Sequence, residues 1–436
     1  MNTSPTSEHL KREIGAGSLA LACVNVMVGS GIFVLPALVA EGLGATAILA
    51  YIACAVLVFL IALCFAEVGS NTTKSGGAYT YIEDAFGPWA GFLAGNLYLL
   101  GSISSDAAVA NALADTLQYF FPLLRVDIYR ILFIFFVFGG LTWLNISSVK
   151  NGVRFVVFAS IGKLLPLVIL IAIAVPHVET ENLKWVISPT LDNIGSASLL
   201  LFFAFLGFET CLGNGGEIKN PRRTVPLGIF GGLIFVLILY VSIQLVTQGA
   251  LGNNLSSHKD APLAAVANLA WGKFGMVCII AVTSISILGN LSGEMLSMPR
   301  ILFAAARDGL MPKIFARIHP RFSTPHIAII AYASIGFILA VSGGFRQLAV
   351  LASASLLLLY LGVALATIRL RKIQPAHTAK GFRVPGGMII PLLAAAGVIW
   401  MLSNSSKPEV IGLSIFIAVF SMIYFAMLLV RKKRKG

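Results

Sequence analysis

Apolar runs of about 18 residues or more follow one another along almost the whole chain, and each is long enough to cross a bilayer as a helix. About 20 residues rising roughly 1.5 Å apiece cover a hydrocarbon core of about 30 Å. Lipid offers the backbone no hydrogen-bond partner, so segments that cross it must pair their own amides and carbonyls. Twelve runs meet the criterion, near 14–39, 43–68, 87–118, 128–146, 152–175, 193–214, 225–250, 271–303, 325–342, 346–370, 387–403 and 408–430. The expected fold is therefore an all-α integral membrane protein with twelve transmembrane helices. With 58% hydrophobic and 11% charged residues, a soluble fold of 436 residues is excluded.

Residues 1–13 form a polar segment, and 14–436 read as a single membrane domain because the loops are too short to hold another. The first apolar stretch is too long for a signal-peptide core and lacks a small-residue cleavage pattern, so it reads as a retained helix. A formal charge of +13 raises the question of nucleic acid, but the basic residues follow topology. Most of them, including Arg222, Arg223, Arg371 and the RKKRKG tail, fall on one side when both termini are placed in the cytoplasm. The tail reads as a stop-transfer flank against anionic lipid. The expected location is the cell (inner) membrane, with no nucleic-acid partner. Cysteines and histidines form no metal-ligand spacing, so no metal or prosthetic cofactor is expected.

Glycines interrupt two spans at corresponding places: Gly29-Ser30-Gly31 in span one, and Gly207 with Gly213, Gly215 and Gly216 in span six. Five helices separate the breaks, and an odd number reverses orientation. Two inverted repeats, each opening with a broken helix, give this pattern. Repeat one would cover about 14–175, repeat two about 193–371, and the helices within 387–430 would be additional. Such breaks leave amides and carbonyls free near the bilayer midplane, where amides suit a carboxylate and carbonyls suit an ammonium. A zwitterion-sized solute fits both.

Four ordered blocks carry a family resemblance: VGSGIFVLPA (28–37), SGGAYTYIEDAFGP (75–88), FLGFET with EIKNPRRTVP (205–210 and 217–226), and PRILFAAARDGLMP (299–312). With the twelve spans, they identify the chain as similar to the amino acid-polyamine-organocation family over its whole length. The resemblance implies the leucine-transporter-like five-plus-five inverted repeat with helices one and six broken, and secondary transport of amino acids by alternating access. It places a substrate carboxylate against the amides of Ser30, Gly31 and Ile32. The amine would meet carbonyls near Val26, Met27 and Gly29, and near Phe203 and Phe205 beside Gly207. Phe203 falls where related arginine/agmatine antiporters set an aromatic gate. The antiporters are dimers, although nothing in these residues demands a homodimer here.

Charges inside spans are costly, so each asks for a use. Lys163 in span five would stand where sodium-coupled relatives of the fold hold an ion, which disfavours sodium and leaves proton coupling or exchange. A structural lysine joining helices is its alternative. Asp106 in span three and Glu294 in span eight admit three uses: a receptor for a cationic side chain, a proton site in a carrier of neutral amino acids, or a structural pair. Glu209, beside the span-six break, is expected to gate by accepting from freed amides or reaching to span ten. The expected function is a secondary active permease or antiporter of amino acids, with cationic amino acids or polyamines placed first. A transport-inactive sensor with the same fold is the rival from another class, and no constellation for an enzyme emerges.

Overall fold

The computed structural model describes residues 13–71, 77–147, 149–186, 188–212, 218–307, 309, 311–373 and 381–435. Gly213, Gly215, Gly216 and Glu217 lie outside them, as does most of the polar segment 1–13. The described chain is helical throughout, with one isolated bridge between Ile14 and Ile218. Eight helices are long and apolar enough to cross a membrane, nine when a bent pair is taken as one span, and three shorter apolar helices accompany them. This is a multi-pass membrane protein.

The bent pair falls where the first span is expected. α1 (Ala16–Met27) ends where Val28 leaves helical geometry, and α2 (Gly31–Ala40) restarts at an angle of 56° to it. The second, third and fourth spans are α3 (Ile48–Asn71), α5 (Pro88–Leu117) and α6 (Asp127–Ser147). Between α3 and α5, outside the expected spans, lies a short helix, α4 (Ala78–Phe86). It is amphipathic: Ala78, Tyr81, Ile82 and Ala85 share one buried face at helical spacing. Gly87, at φ 91°, turns the chain from α4 into Pro88, which is pre-set for the first turn of α5.

α7 (Val149–Ala174) is followed by the second break. α8 (Leu191–Phe202) tightens into a 3-10 turn at Phe203–Phe205, becomes extended at Leu206, turns at Gly207 with φ 101°, and continues as a 3-10 segment at Phe208–Leu212. α9 (Pro221–Leu251) opens on Pro221. α10 (Pro262–Arg307) starts earlier than the expected 271, because Pro262–Trp271 is a separate helical arm joined at Gly272 with φ 63°. α11 (His326–Ser342), α12 (Phe345–Ile373), α13 (Ile389–Ser403) and α14 (Lys407–Lys435) complete the chain.

α5 is the most enclosed of the long apolar helices and packs against α10, α11 and α12. α1 lies along α9, while α10 lies along α7. α14 is largely exposed, presenting Ile411, Ile415, Met422 and Leu429 outward, as a lipid-facing helix does. Two ion-pair systems tie the ends of the bundle. Glu67 at the end of α3 is gripped bidentately by Arg371 of α12, and both side chains are 7% exposed. Arg371 also donates to the carbonyls of Gly387 and Val384, and the Val384 amide donates to Glu67 at 2.7 Å.

At another point Glu41, after α2, accepts from Lys259 at 2.6 Å and Arg346 at 3.1 Å. The Lys259 hydrogen bond chiefly, aided by both positive charges, holds the Glu41 carboxyl below its ordinary 4.5. A lowered folded-state value contributes stability above the unfolded value that is lost as pH falls through the folded one. The pair is exposed, so the contribution is small, about 0.2–1 kcal/mol. Thermal unfolding of Glu41→Gln is therefore expected to differ from the parent by about a degree or two at neutral pH, and the difference is expected to shrink as the pH is lowered past the ordinary carboxyl value of 4.5. A difference that persists or widens in acid contradicts this assignment.

Candidate functional site

The two breaks face each other. A Cβ on Gly31 would lie 3.0 Å from the Ala204 Cβ and 3.1 Å from its Cα, and a Cβ on Gly207 would lie 2.5 Å from Cγ1 of Val26. Glycine at each place lets one interrupted helix approach the other's backbone, and Gly207 also supplies a positive φ that other residues resist. Tyr240 of α9 locks the approach. Its hydroxyl reaches the Met27 carbonyl at 2.8 Å and the Ala204 carbonyl at 3.0 Å, one on each side of the gap. Its ring packs edge-on against Phe205 with centroids 5.4 Å apart.

A partly open cavity lies between the breaks. Val26, Met27, Gly29, Ser30 and Gly31 line it from span one. Phe203, Gly207 and Glu209 line it from span six, and Glu294 lines it from α10. The first amides of α2 have no acceptor within their own helix, so they present donors where the chain restarts. The Ser30 hydroxyl is buried without a partner. Phe203 sits edge-on to Phe345 at 5.5 Å.

Four of the residues singled out from sequence lie elsewhere. Ile32 and Phe205 are buried in packing off the cavity wall. Asp106 is fully buried, takes a hydrogen bond of 2.9 Å from the Tyr332 hydroxyl of α11, and does not line the cavity. Lys163 is buried on α7 and donates to the Asn25 carbonyl near the end of α1. Glu209 accepts from the Gly207 amide at 3.1 Å and from the Tyr360 hydroxyl of α12 at 2.5 Å, so it joins the break to α12.

Sequence reading passed over Tyr98, Ser102, Ser105, Thr210, Asn290 and Leu356, which also line the cavity. It also passed over the tyrosines that hold the site. Asn290 alone carried a signal, as an amide within an apolar run one turn before Glu294. A Cβ on Gly29 would meet its Nδ2 at 3.2 Å.

Interrupted helices that meet over a partly polar cavity are an arrangement found in membrane carriers of small solutes. The chain belongs to the amino acid permease family, whose profile matches residues 14–431. It is 27% identical to the branched-chain amino acid permease of Bacillus subtilis (strain 168), over 95% of this chain and 93% of that one. To the serine/threonine exchanger of the same organism it is 28% identical, over 98% of both chains. To cationic amino acid transporter 4 of Mus musculus it is 29% identical, over 85% of this chain and 61% of the mouse protein. These proteins are transporters, not enzymes.

Proposed function

We propose that this permease is a secondary active transporter that moves amino acids across the cell (inner) membrane by alternating access, with both termini in the cytoplasm. The observation that carries the reading is the meeting of the two broken spans over one cavity, with helix-start amides at Ser30–Gly31 and helix-end carbonyls near Val26. A substrate carboxylate sits against the former and its amine against the latter. Counting the bent pair and the three shorter apolar helices as spans brings the total to the expected twelve, and the breaks then fall at the starts of two inverted repeats. Glu209 and Tyr360 gate the site by tying span six to span ten.

The substrate class we favour is a cationic amino acid or polyamine. Glu294 supports it, because its Oε2 is buried, has no hydrogen-bond partner, and belongs to a cavity-lining side chain. Asp106, held by Tyr332 off the cavity, is not the receptor. Proteoliposome uptake of labelled lysine is expected to saturate, with arginine and putrescine competing at least tenfold better than alanine or leucine. A preference for the neutral solutes refutes the cationic pocket. No flux of any amino acid makes the chain a sensor with a carrier's fold.

Lys163 fills the place of a coupling ion in this reading, so transport runs on protons or exchange. Lysine-loaded vesicles separate the two: an exchanger needs internal solute, and a proton-coupled carrier accumulates substrate under a pH gradient without it. Lys163→Met is expected to lower the maximal uptake rate about tenfold, since it removes a buried charge held by the Asn25 carbonyl. Undiminished uptake with unchanged pH dependence removes Lys163 from the mechanism.

A further inference from the structure

Three carboxyl groups cluster in the membrane interior with no neutralising side chain. Glu209, Glu294 and Asp106 come from span six, α10 and α5: Glu209 and Glu294 line the same cavity, and Asp106 directly follows Ser105, which lines it too. Among the described residues none of the three forms an ion pair. Their hydrogen bonds are unequal. Glu209 accepts from two donors and Asp106 from one at Oδ2, while Oδ1 of Asp106 and Oε2 of Glu294 are buried without a partner. Of the two that line the cavity, Glu209 and Glu294, only Glu209 has its hydrogen bonds to neighbouring groups.

Buried carboxylates without a cation cannot all be ionised, because each adds desolvation cost and repels the others. From the geometry we infer that Glu294 holds a proton in the empty cavity, that a cationic substrate group displaces this proton on binding, and that Asp106 keeps its own throughout. In the step, the O–H bond of the Glu294 carboxyl breaks heterolytically and the proton leaves through the cavity mouth to water. The carboxylate left behind pairs with the substrate's ammonium or guanidinium. No electron moves. Proton and cation thus compete for one carboxyl, which makes the site a proton-for-cation exchanger.

The other titratable groups on the elements packed around α10 and the cavity fit this division. Tyr98 of α5, Tyr332 of α11 and Tyr360 of α12 are neutral hydroxyls, the last two already donating to Asp106 and Glu209. Lys163 of α7 is turned to the Asn25 carbonyl, and Tyr240 of α9 to the carbonyls of Met27 and Ala204. Arg130 of α6 is engaged by Asp115 and Asn111, and α2 contributes no ionisable side chain. Among the described residues none of these groups pairs with Glu294.

The inference rests on the cationic reading of the substrate and is tested apart from it. Calorimetric titration of the purified, detergent-solubilised chain with L-lysine, in buffers of different ionisation enthalpy, counts the protons released per lysine bound. The expected count is one, with the Kd falling about tenfold per pH unit while Glu294 is protonated in the free protein. Glu294→Gln is expected to release none and to lose the pH dependence, Glu294→Asp to restore both, and Asp106→Asn to leave the count at one. Lysine binding with no proton released by the parent overturns the inference, whatever the variants do. So does release that survives in Glu294→Gln or disappears in Asp106→Asn. Binding of alanine or leucine but not lysine overturns the cationic reading and this inference with it, while leaving amino acid transport standing.

Discussion

Gly207→Ala is expected to reduce amino acid uptake at least tenfold while the protein still reaches the membrane. The residue has φ 101°, a region that costs an L-residue about 1–3 kcal/mol, and its new methyl would stand 2.5 Å from Cγ1 of Val26. Relief of both strains requires the span-six break to withdraw from span one, which opens the gap that Tyr240 bridges. The double variant Val26→Ala, Gly207→Ala separates the causes. It removes the contact but not the dihedral strain, so it is expected to regain part of the lost rate. Full recovery shows that crowding alone matters, and no recovery shows that the backbone alone does. Wild-type rates in Gly207→Ala remove the break from the mechanism.

Arg371→Ala is expected to destabilise the fold by about 3–5 kcal/mol, the cost of leaving Glu67 buried without its partner. The same change releases the carbonyls of Val384 and Gly387, so the segment entering α13 loosens as well. Lysine is a poor substitute, because a point charge cannot supply the guanidinium fork that grips both oxygens of Glu67. Replacing both partners by methionine removes the uncompensated charge and is expected to be milder than Arg371→Ala alone. Thermal melting of the detergent-solubilised variants reads the order. A double variant less stable than the single one contradicts the burial argument.

The spans were legible because length and apolarity are local properties. The expected 87–118 is Pro88–Leu117 in the structure, and 128–146 is Asp127–Ser147. α4 and the arm Pro262–Trp271 escaped because each is too short to cross a bilayer, and an amphipathic helix of nine residues leaves little trace beside long apolar runs. The breaks were visible in Gly29, Gly31 and Gly207, since glycine marks sites where the backbone leaves helical geometry or meets another backbone closely. What glycine does not specify is the bracing. Tyr240 stands 213 positions from Met27, and Tyr360 stands 151 from Glu209. A tyrosine in an apolar run looks the same whether its hydroxyl has a partner there or not. Asp106 shows the reverse. Its charge was conspicuous in sequence, but only the Tyr332 contact distinguishes a sealed acid from one facing substrate.

The most direct test of the site between the breaks is substrate protection of an engineered thiol at Ser30, in a chain whose five native cysteines are replaced by serine. Saturating lysine, with binding confirmed on the same sample, is expected to slow reaction with a small methanethiosulfonate at least tenfold. An unchanged rate under confirmed saturation places the substrate elsewhere and contradicts the account.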